Sequence, residues 1–279
     1  MMYRDTRYRR SKPRTEAQQQ LPLGNPDPVR RMREENRYYV DKTAFCWRLV
    51  EEGDRYFLSR PRRFGKSLFL DTLKELFEGN EPLFRGLYVH DKWKWSVRYP
   101  VVRLSFASGS FRKPDLVDEA ATAQLEDIAV RAGVATPRGS APILDAMNDA
   151  GDGRGKNRDD LRGLYATIKD ADAYVKFAFL TGVSKFSKVS LFSDLNNLTD
   201  LTLDRRYANI CGYTDADLDT VFAPELAGLD REEIRRWYNG YNWRGDENVY
   251  NPFDVLLLFS KREFGPYWSQ RPAHAETCP

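Results

Sequence analysis

The sequence predicts an α/β fold: a parallel sheet of short strands with helices on both faces, followed by a smaller, mostly helical C-terminal unit. Three observations predict it. Residues 55–78, RYFLSRPRRFGKSLFLDTLKELFE, pass from a short apolar strand through a basic loop into an amphipathic helix. Apolar strand patterns return at Pro100–Phe106 (PVVRLSF) and at Tyr174–Thr181 (YVKFAFLT). Helical periodicity separates them, at 115–131 and again at 158–169. Strands alternating with helices favour parallel pairing, because a parallel crossover needs a long connection and a helix supplies it.

The first of these stretches also carries chemistry. Tyr56, Phe57 and Leu58 form the strand, Arg60 to Phe64 the loop, and Gly65-Lys66-Ser67 opens a helix with an apolar face of Leu68, Phe69, Leu70, Leu73, Leu76 and Phe77. Strand, loop and helix in that order, with Gly-Lys-Ser at the turn, is the grammar of a phosphate-binding loop. Backbone N–H groups and the macrodipole at a helix N-terminus attract phosphate oxygens, and glycine lets the main chain approach them closely. Lys66 would reach the β- and γ-phosphates and Ser67 would hold Mg²⁺. The candidate nucleotide-binding residues are therefore Arg60, Arg62, Arg63, Phe64, Gly65, Lys66, Ser67 and Leu68. The full pattern asks for glycine five positions before Gly65, and Arg60 stands there, so the match is degenerate. The competing reading is a basic turn between a strand and a helix, with Arg60, Arg62 and Arg63 solvated.

Composition bounds the rest. With 279 residues, 41% hydrophobic and 30% charged, the chain has ample material for a core. No apolar run approaches the ~20 residues of a membrane span, and the N-terminus lacks the apolar centre of a signal peptide. Cys46, Cys211 and Cys278 show no metal-site spacing and suit a reducing, cytoplasmic setting. With His90 and His274 the only histidines, triad or histidine-metal chemistry is disfavoured. Residues 1–28, rich in Arg and Gln, read as a disordered basic tail, either solvated or resting on a phosphate backbone. A helix is expected over Thr43–Glu52, capped by Asp41 or Thr43, with Lys42 a surface lysine. Trp93 and Trp95 read either as packing aromatics or as a stacking platform for bases. Within 204–268 the pattern gives short helices, one containing IRRWYNGY and another starting after Asn251-Pro252.

Several long motifs occur in a fixed order: YYVDKTAF at 38–45, RPRRFGKSLFLDTLKELFEG at 60–79, FLTGVSKFSKVSLFSDLNNLTDLTLD at 179–204, WYNGYNW at 237–243 and VYNPFDVLLLF at 249–259. Together they resemble the bacterial AAA-ATPase-like family, whose ATPase-like module is usually followed by a PD-(D/E)XK-type nuclease domain. The resemblance covers roughly residues 30–268. It implies a P-loop NTPase (AAA-like) sheet in the order 5-1-4-3-2, ATP and Mg²⁺ as cofactors, and Lys66 as a catalytic residue. It also implies a γ-phosphate sensor at the end of a strand, for which Thr181 is the candidate, with Lys185 and Ser187 following. The organisation expected is a tail at 1–28, an ATPase-like core at 29–203, a helical lid at 204–268 and a tail at 269–279.

The departure from the family lies at 133–147. There the resemblance implies an apolar strand ending in acidic residues, the Walker B strand, ahead of a Pro-Ile-Leu segment; this chain reads GVATPRGSA directly before PILDAM. Asp118-Glu119 and Asp145 are weak substitutes, since only two apolar residues precede each. The sheet is thus expected to lack one strand. No Asp followed at strand spacing by Glu-x-Lys marks a nuclease site. The reading reached from sequence is an ATP-binding module with impaired hydrolysis, an enzyme of weak or no turnover. The alternatives are a nucleic-acid-binding regulatory fragment and a nonfunctional truncated remnant. Expected partners are nucleotide, then a nuclease or nucleic acid, with no membrane and an oligomeric state that the sequence leaves open.

Overall fold

The computed structural model describes residues 19–24, 28–103, 175–182 and 198–267. Its centre is β1 (Arg55–Ser59), which pairs in parallel with β2 (Ala178–Gly182) on one side and β3 (Thr199–Asp200) on the other. Arg55 stands opposite Ala178 and Ser59 opposite Gly182, so β1 and β2 end together. Among the described residues the protein is therefore α/β, with a small three-stranded parallel sheet.

Around the sheet lie α1 (Val29–Glu34), α2 (Thr43–Glu52) and α3 (Lys66–Phe77). Helix α2 has the expected bounds, and Asp41 starts it: its Oδ1 accepts from the Thr43 N–H at 2.8 Å and from the Thr43 hydroxyl at 2.6 Å. Phe69, Leu73 and Leu76 of α3 are buried in the first core cluster with Leu58 of β1 and Leu49 of α2. The 3.6-residue spacing in the sequence thus marks the face that meets the sheet.

Downstream come α4 (Asp215–Val221), α5 (Ala223–Leu226), α6 (Arg231–Tyr238), an antiparallel pair β4 (Asn239–Tyr241) and β5 (Val249–Tyr250), and α7 (Pro252–Lys261). Each major helix has a readable start. Thr214 and Asp217 form a capping box at α4, Asp230 caps α6, and Asn251 caps α7 with Pro252 in the first turn. A second core cluster, with Leu218, Phe222, Ile234, Val255 and Phe259, holds these helices together.

Four sequence expectations shift. The strand expected at 174–181 is paired only from Ala178, because β1 begins at Arg55 and offers nothing earlier to pair with; its residues are half-buried rather than buried. Pro100–Arg103, expected in a strand, lies outside the sheet and runs along α3: the Tyr99 N–H donates to the Phe77 carbonyl at 2.8 Å, and Arg103 pairs with Asp71 at 2.6 Å. Asn239-Gly240-Tyr241, expected within a helix, is strand β4. The packed chain also starts upstream of 28, since the Gln20 N–H donates to Asn36, the Tyr38 N–H donates to Gln20, and Leu21 is buried. The expected helices at 115–131 and 158–169, residues 104–106 and the 133–147 junction lie outside the described residues.

Candidate functional site

Gly65 occupies the left-handed region, φ +89°, and caps α3. A Cβ there would touch nothing within 4 Å, so the requirement for glycine comes from the backbone conformation and not from crowding. Arg63 is also left-handed at φ +67°, and its guanidinium lies 4.5 Å from the centre of the Phe253 ring on α7. Lys66 folds back over the loop, and its Nζ donates to the carbonyls of Arg60 at 2.8 Å and Pro61 at 2.7 Å. Burial holds its pKa below the ordinary lysine value; nearby Cys211 opposes that shift, while Arg60 and Arg62 reinforce it.

The loop opens on a cavity of about 200 Å³. Its lining combines Gly65, Lys66, Ser67, Lys42 and Cys211 with the more apolar Met32, Tyr39, Val40, Leu68, Phe253 and Leu256. Ile210, Gly212 and Tyr213 also line it. Gly212, at φ +91°, packs so tightly that an added Cβ would come within 3.0 Å of Val249 and 3.2 Å of Phe64.

The sequence-derived residues separate into three groups. Arg63, Phe64, Gly65, Lys66, Ser67 and Leu68 line the cavity. Phe64 is at the same time fully buried, edge-on to Tyr241 at 4.6 Å and to Trp243 at 6.2 Å, so it anchors the loop to β4. Arg62 is exposed and is not among the lining residues. Arg60 departs most from expectation. Its side chain is fully buried, donates to the carbonyls of Ser59 (2.9 Å), Thr202 (3.0 Å) and Tyr207 (3.1 Å), and lies 4.4 Å from the Trp243 ring centre. Burial pulls its pKa down to about 10. The residue at the position of the first loop glycine is thus an internal brace. Its cation meets carbonyl dipoles and an aromatic face, not phosphate and not solvent.

Thr181 stands on β2 opposite Leu58, and its hydroxyl donates to the Leu58 carbonyl at 2.9 Å. Lys185 and Ser187 lie outside the described residues. The two tryptophans weighed as a base platform are packing residues: Trp93 meets Phe77 edge-on at 5.4 Å, and Trp95 lies 5.4 Å from Phe84 while its indole N–H donates to the His90 carbonyl.

Sequence reasoning named Lys42 but favoured a surface lysine. It is no surface lysine: it lines the cavity, and its Nζ is 2.8 Å from Asp217 of α4. Cys211 was missed as a site residue. Burial pushes its thiol pKa up, and Arg60, Lys66 and Lys42 pull it back in that order. Of these cations, Lys66 and Lys42 line the cavity with Cys211. Among the described residues, no group of three or more His, Cys, Asp or Glu is placed to hold a metal ion, and no helix is long and apolar enough to cross a membrane.

A glycine-lysine-serine turn that opens a helix at the end of the central strand of a parallel sheet, beside a cavity, defines an α/β protein with a candidate phosphate site. The family model described as predicted AAA-ATPase matches residues 27–138 and 140–192, and the chain belongs to this AAA-ATPase-like family. It is also similar to an uncharacterized protein in the vnfD 5′ region of Azotobacter chroococcum mcd 1, at 53% identity over 280 residues. That alignment covers 90% of this chain and 54% of the relative, so the chain spans about half the relative's length. No solved structure matches.

Proposed function

We propose that this chain is an ATP-binding module of the P-loop NTPase type, with Mg²⁺ carried in by the nucleotide and with hydrolysis impaired. The observation that carries the reading is the geometry of the loop: Gly65 left-handed at the N-terminus of a twelve-residue helix, Lys66 spanning the loop, and both on the wall of a cavity. The strand order supports it, since β2 and β3 flank β1 as strands 4 and 5 flank strand 1 in the AAA-like order. The family match itself supports the adenine nucleotide as ligand.

In this reading the backbone N–H groups at the start of α3 receive phosphate oxygens, aided by the helix dipole. The Lys66 ammonium, held by the Arg60 and Pro61 carbonyls, needs only a small rotation to exchange them for β- and γ-phosphate oxygens. Ser67, in the first turn of α3 and exposed to the cavity, would hold Mg²⁺, with phosphate oxygens supplying further ligands. The metal neutralises charge that develops on the phosphates. Thr181, at the ends of β1 and β2, keeps acceptor capacity while its proton is committed to Leu58.

Turnover needs a residue that orients the attacking water, and where the family resemblance implies the Walker B carboxylates this chain reads GVATPRGSA at 133–141, directly before PILDAM at 142–147. The two segments of the family match meet at residue 139, inside this junction. Electrostatic positioning accounts for most of phosphoryl-transfer catalysis, and losing one such part costs ~10²-fold or more in rate. Phosphate release from Mg·ATP is therefore expected to be negligible. Inserting an apolar strand that ends in Asp-Glu between Val134 and Pro142 is expected to raise it. Brisk release by the unmodified chain, abolished by Lys66→Ala, would overturn the impaired-hydrolysis reading and direct mutagenesis to Asp145 and Glu119. An action together with a nuclease or with nucleic acid belongs to the same proposal, as what a longer relative would add.

A further inference from the structure

Lys42, which lines the loop cavity, pairs with Asp217. The Nζ–Oδ2 distance is 2.8 Å, and the side chains are only 15% and 19% exposed. They come from different parts of the chain: Lys42 precedes α2, and Asp217 belongs to α4 of the C-terminal helices. Lys42 shares the lining of the cavity with Gly65, Lys66 and Ser67.

From this arrangement we infer that Lys42 is a second phosphate-binding cation of the site, held by Asp217 until an anion in the loop competes for it. The inference rests on the phosphate-site reading and deepens it. A nucleoside triphosphate brings several negative charges to a cavity wall where the described structure places Lys66 and Lys42 as lysines. Asp217 adds the opposite charge there, and it is not free to leave, because its Oδ2 also accepts the Thr214 N–H at 2.8 Å in the capping box of α4. The carboxylate is therefore fixed to the C-terminal helices, while Lys42 sits on a flexible four-carbon stem. When phosphate arrives, Lys42 is the partner that moves. Its departure breaks the ion pair that ties α4 to the segment before α2. Lys42 then adds to ligand affinity what Asp217 subtracts from it.

The test is a double-mutant cycle on the full chain, read as Kd for Mg·ATP by calorimetry. Its variants are Lys42→Met, Asp217→Asn, the pair of changes together, and Lys42→Arg. Methionine keeps the length of the stem and asparagine keeps an acceptor for Thr214, and melting curves establish that each variant is folded. Lys42→Met is expected to weaken binding about tenfold, the scale of one lost charge contact near a protein surface, and Lys42→Arg to retain most of it. Asp217→Asn is expected to tighten binding several-fold although it weakens the fold, a sign that a merely structural role does not produce. In the double variant that tightening should disappear. Binding unchanged in Lys42→Met, or equal tightening by Asp217→Asn with and without Lys42, would overturn the inference and leave the nucleotide reading standing. If the wild-type chain binds no Mg·ATP, the nucleotide reading fails, and the same cycle is read with inorganic tripolyphosphate. Lys42-dependent tripolyphosphate binding then supports the second cation, and absent or Lys42-independent binding overturns it.

Discussion

The Lys66 ammonium donates to the carbonyl of Arg60 at 2.8 Å, while the Arg60 side chain points the other way, into the core. One residue thus holds the phosphate-site lysine with its main chain and the protein interior with its guanidinium. Its three carbonyl acceptors come from the end of β1, from Thr202 just past β3 and from Tyr207, and Trp243 covers its face. The position where the loop pattern asks for glycine is therefore the most connected one in the loop.

Arg60→Gly restores that pattern on paper, and the structure predicts that it does harm. Removing a fully buried side chain of this size leaves a cavity and three carbonyls without their donor, a loss of about 3 kcal/mol or more. The melting temperature should fall by several degrees and Mg·ATP should bind more weakly. Unchanged stability with tighter binding would show instead that Arg60 is a tolerated departure from the loop pattern.

At Gly65 the prediction isolates the backbone. Nothing lies within 4 Å of an added Cβ, and φ is +89°. Gly65→Ala should cost about 1–2 kcal/mol through the left-handed conformation alone, and Gly65→Asn, which tolerates that region better, should cost less. Denaturant melts of the three proteins check the ranking. Equal stability of all three would mean that the loop relaxes out of the left-handed turn.

A pH dependence follows from Asp204. The Arg206 side chain donates three hydrogen bonds to its two carboxylate oxygens, and the Arg206 backbone N–H adds a fourth; together they hold its pKa below the ordinary aspartate value against the opposing effect of burial. A carboxylate with a depressed folded pKa contributes stability that is fully present above its unfolded pKa of about 3.9 and is lost as pH falls through the folded value. The difference in melting temperature between wild type and Asp204→Asn should be present at pH 7 and should shrink as the pH falls below about 3.9 and through the lower folded value. Arg206 is exposed, so the effect is small. A difference that grew on acidification would have the wrong sign.

Much of this was legible in the sequence because local chemistry decides it. The Thr43–Glu52 helix follows from Asp41, which accepts from Thr43 although Lys42 is the N-cap, α3 from its apolar face, and α7 from Asn251-Pro252. The cavity-lining run Arg63 to Leu68 follows from the loop pattern. What escaped depends on distant contacts. Arg60 reads as a surface charge by residue type, and only carbonyls brought in from 202 and 207 make it an internal one. Lys42 finds its partner 175 residues away. Strand β3 is two residues long, too short to show alternation, yet it pairs where PVVRLSF had the better pattern. Residues 100–103 of that segment instead follow α3, where Arg103 pairs with Asp71.

The central claim, a nucleotide held at the start of α3, is tested most directly by titrating the full chain with Mg·ATP in a calorimeter beside Lys66→Ala. The Lys66 ammonium is partly buried and its two acceptors are carbonyls of the loop beside the cavity, so its removal costs some stability, and melting curves establish that the variant is folded. The account predicts one saturable site in the wild-type chain and at least tenfold weaker binding in the variant, the scale of a lost charge-assisted phosphate contact. Equal affinity in the two proteins, or binding that vanishes in moderate salt for both, would contradict it.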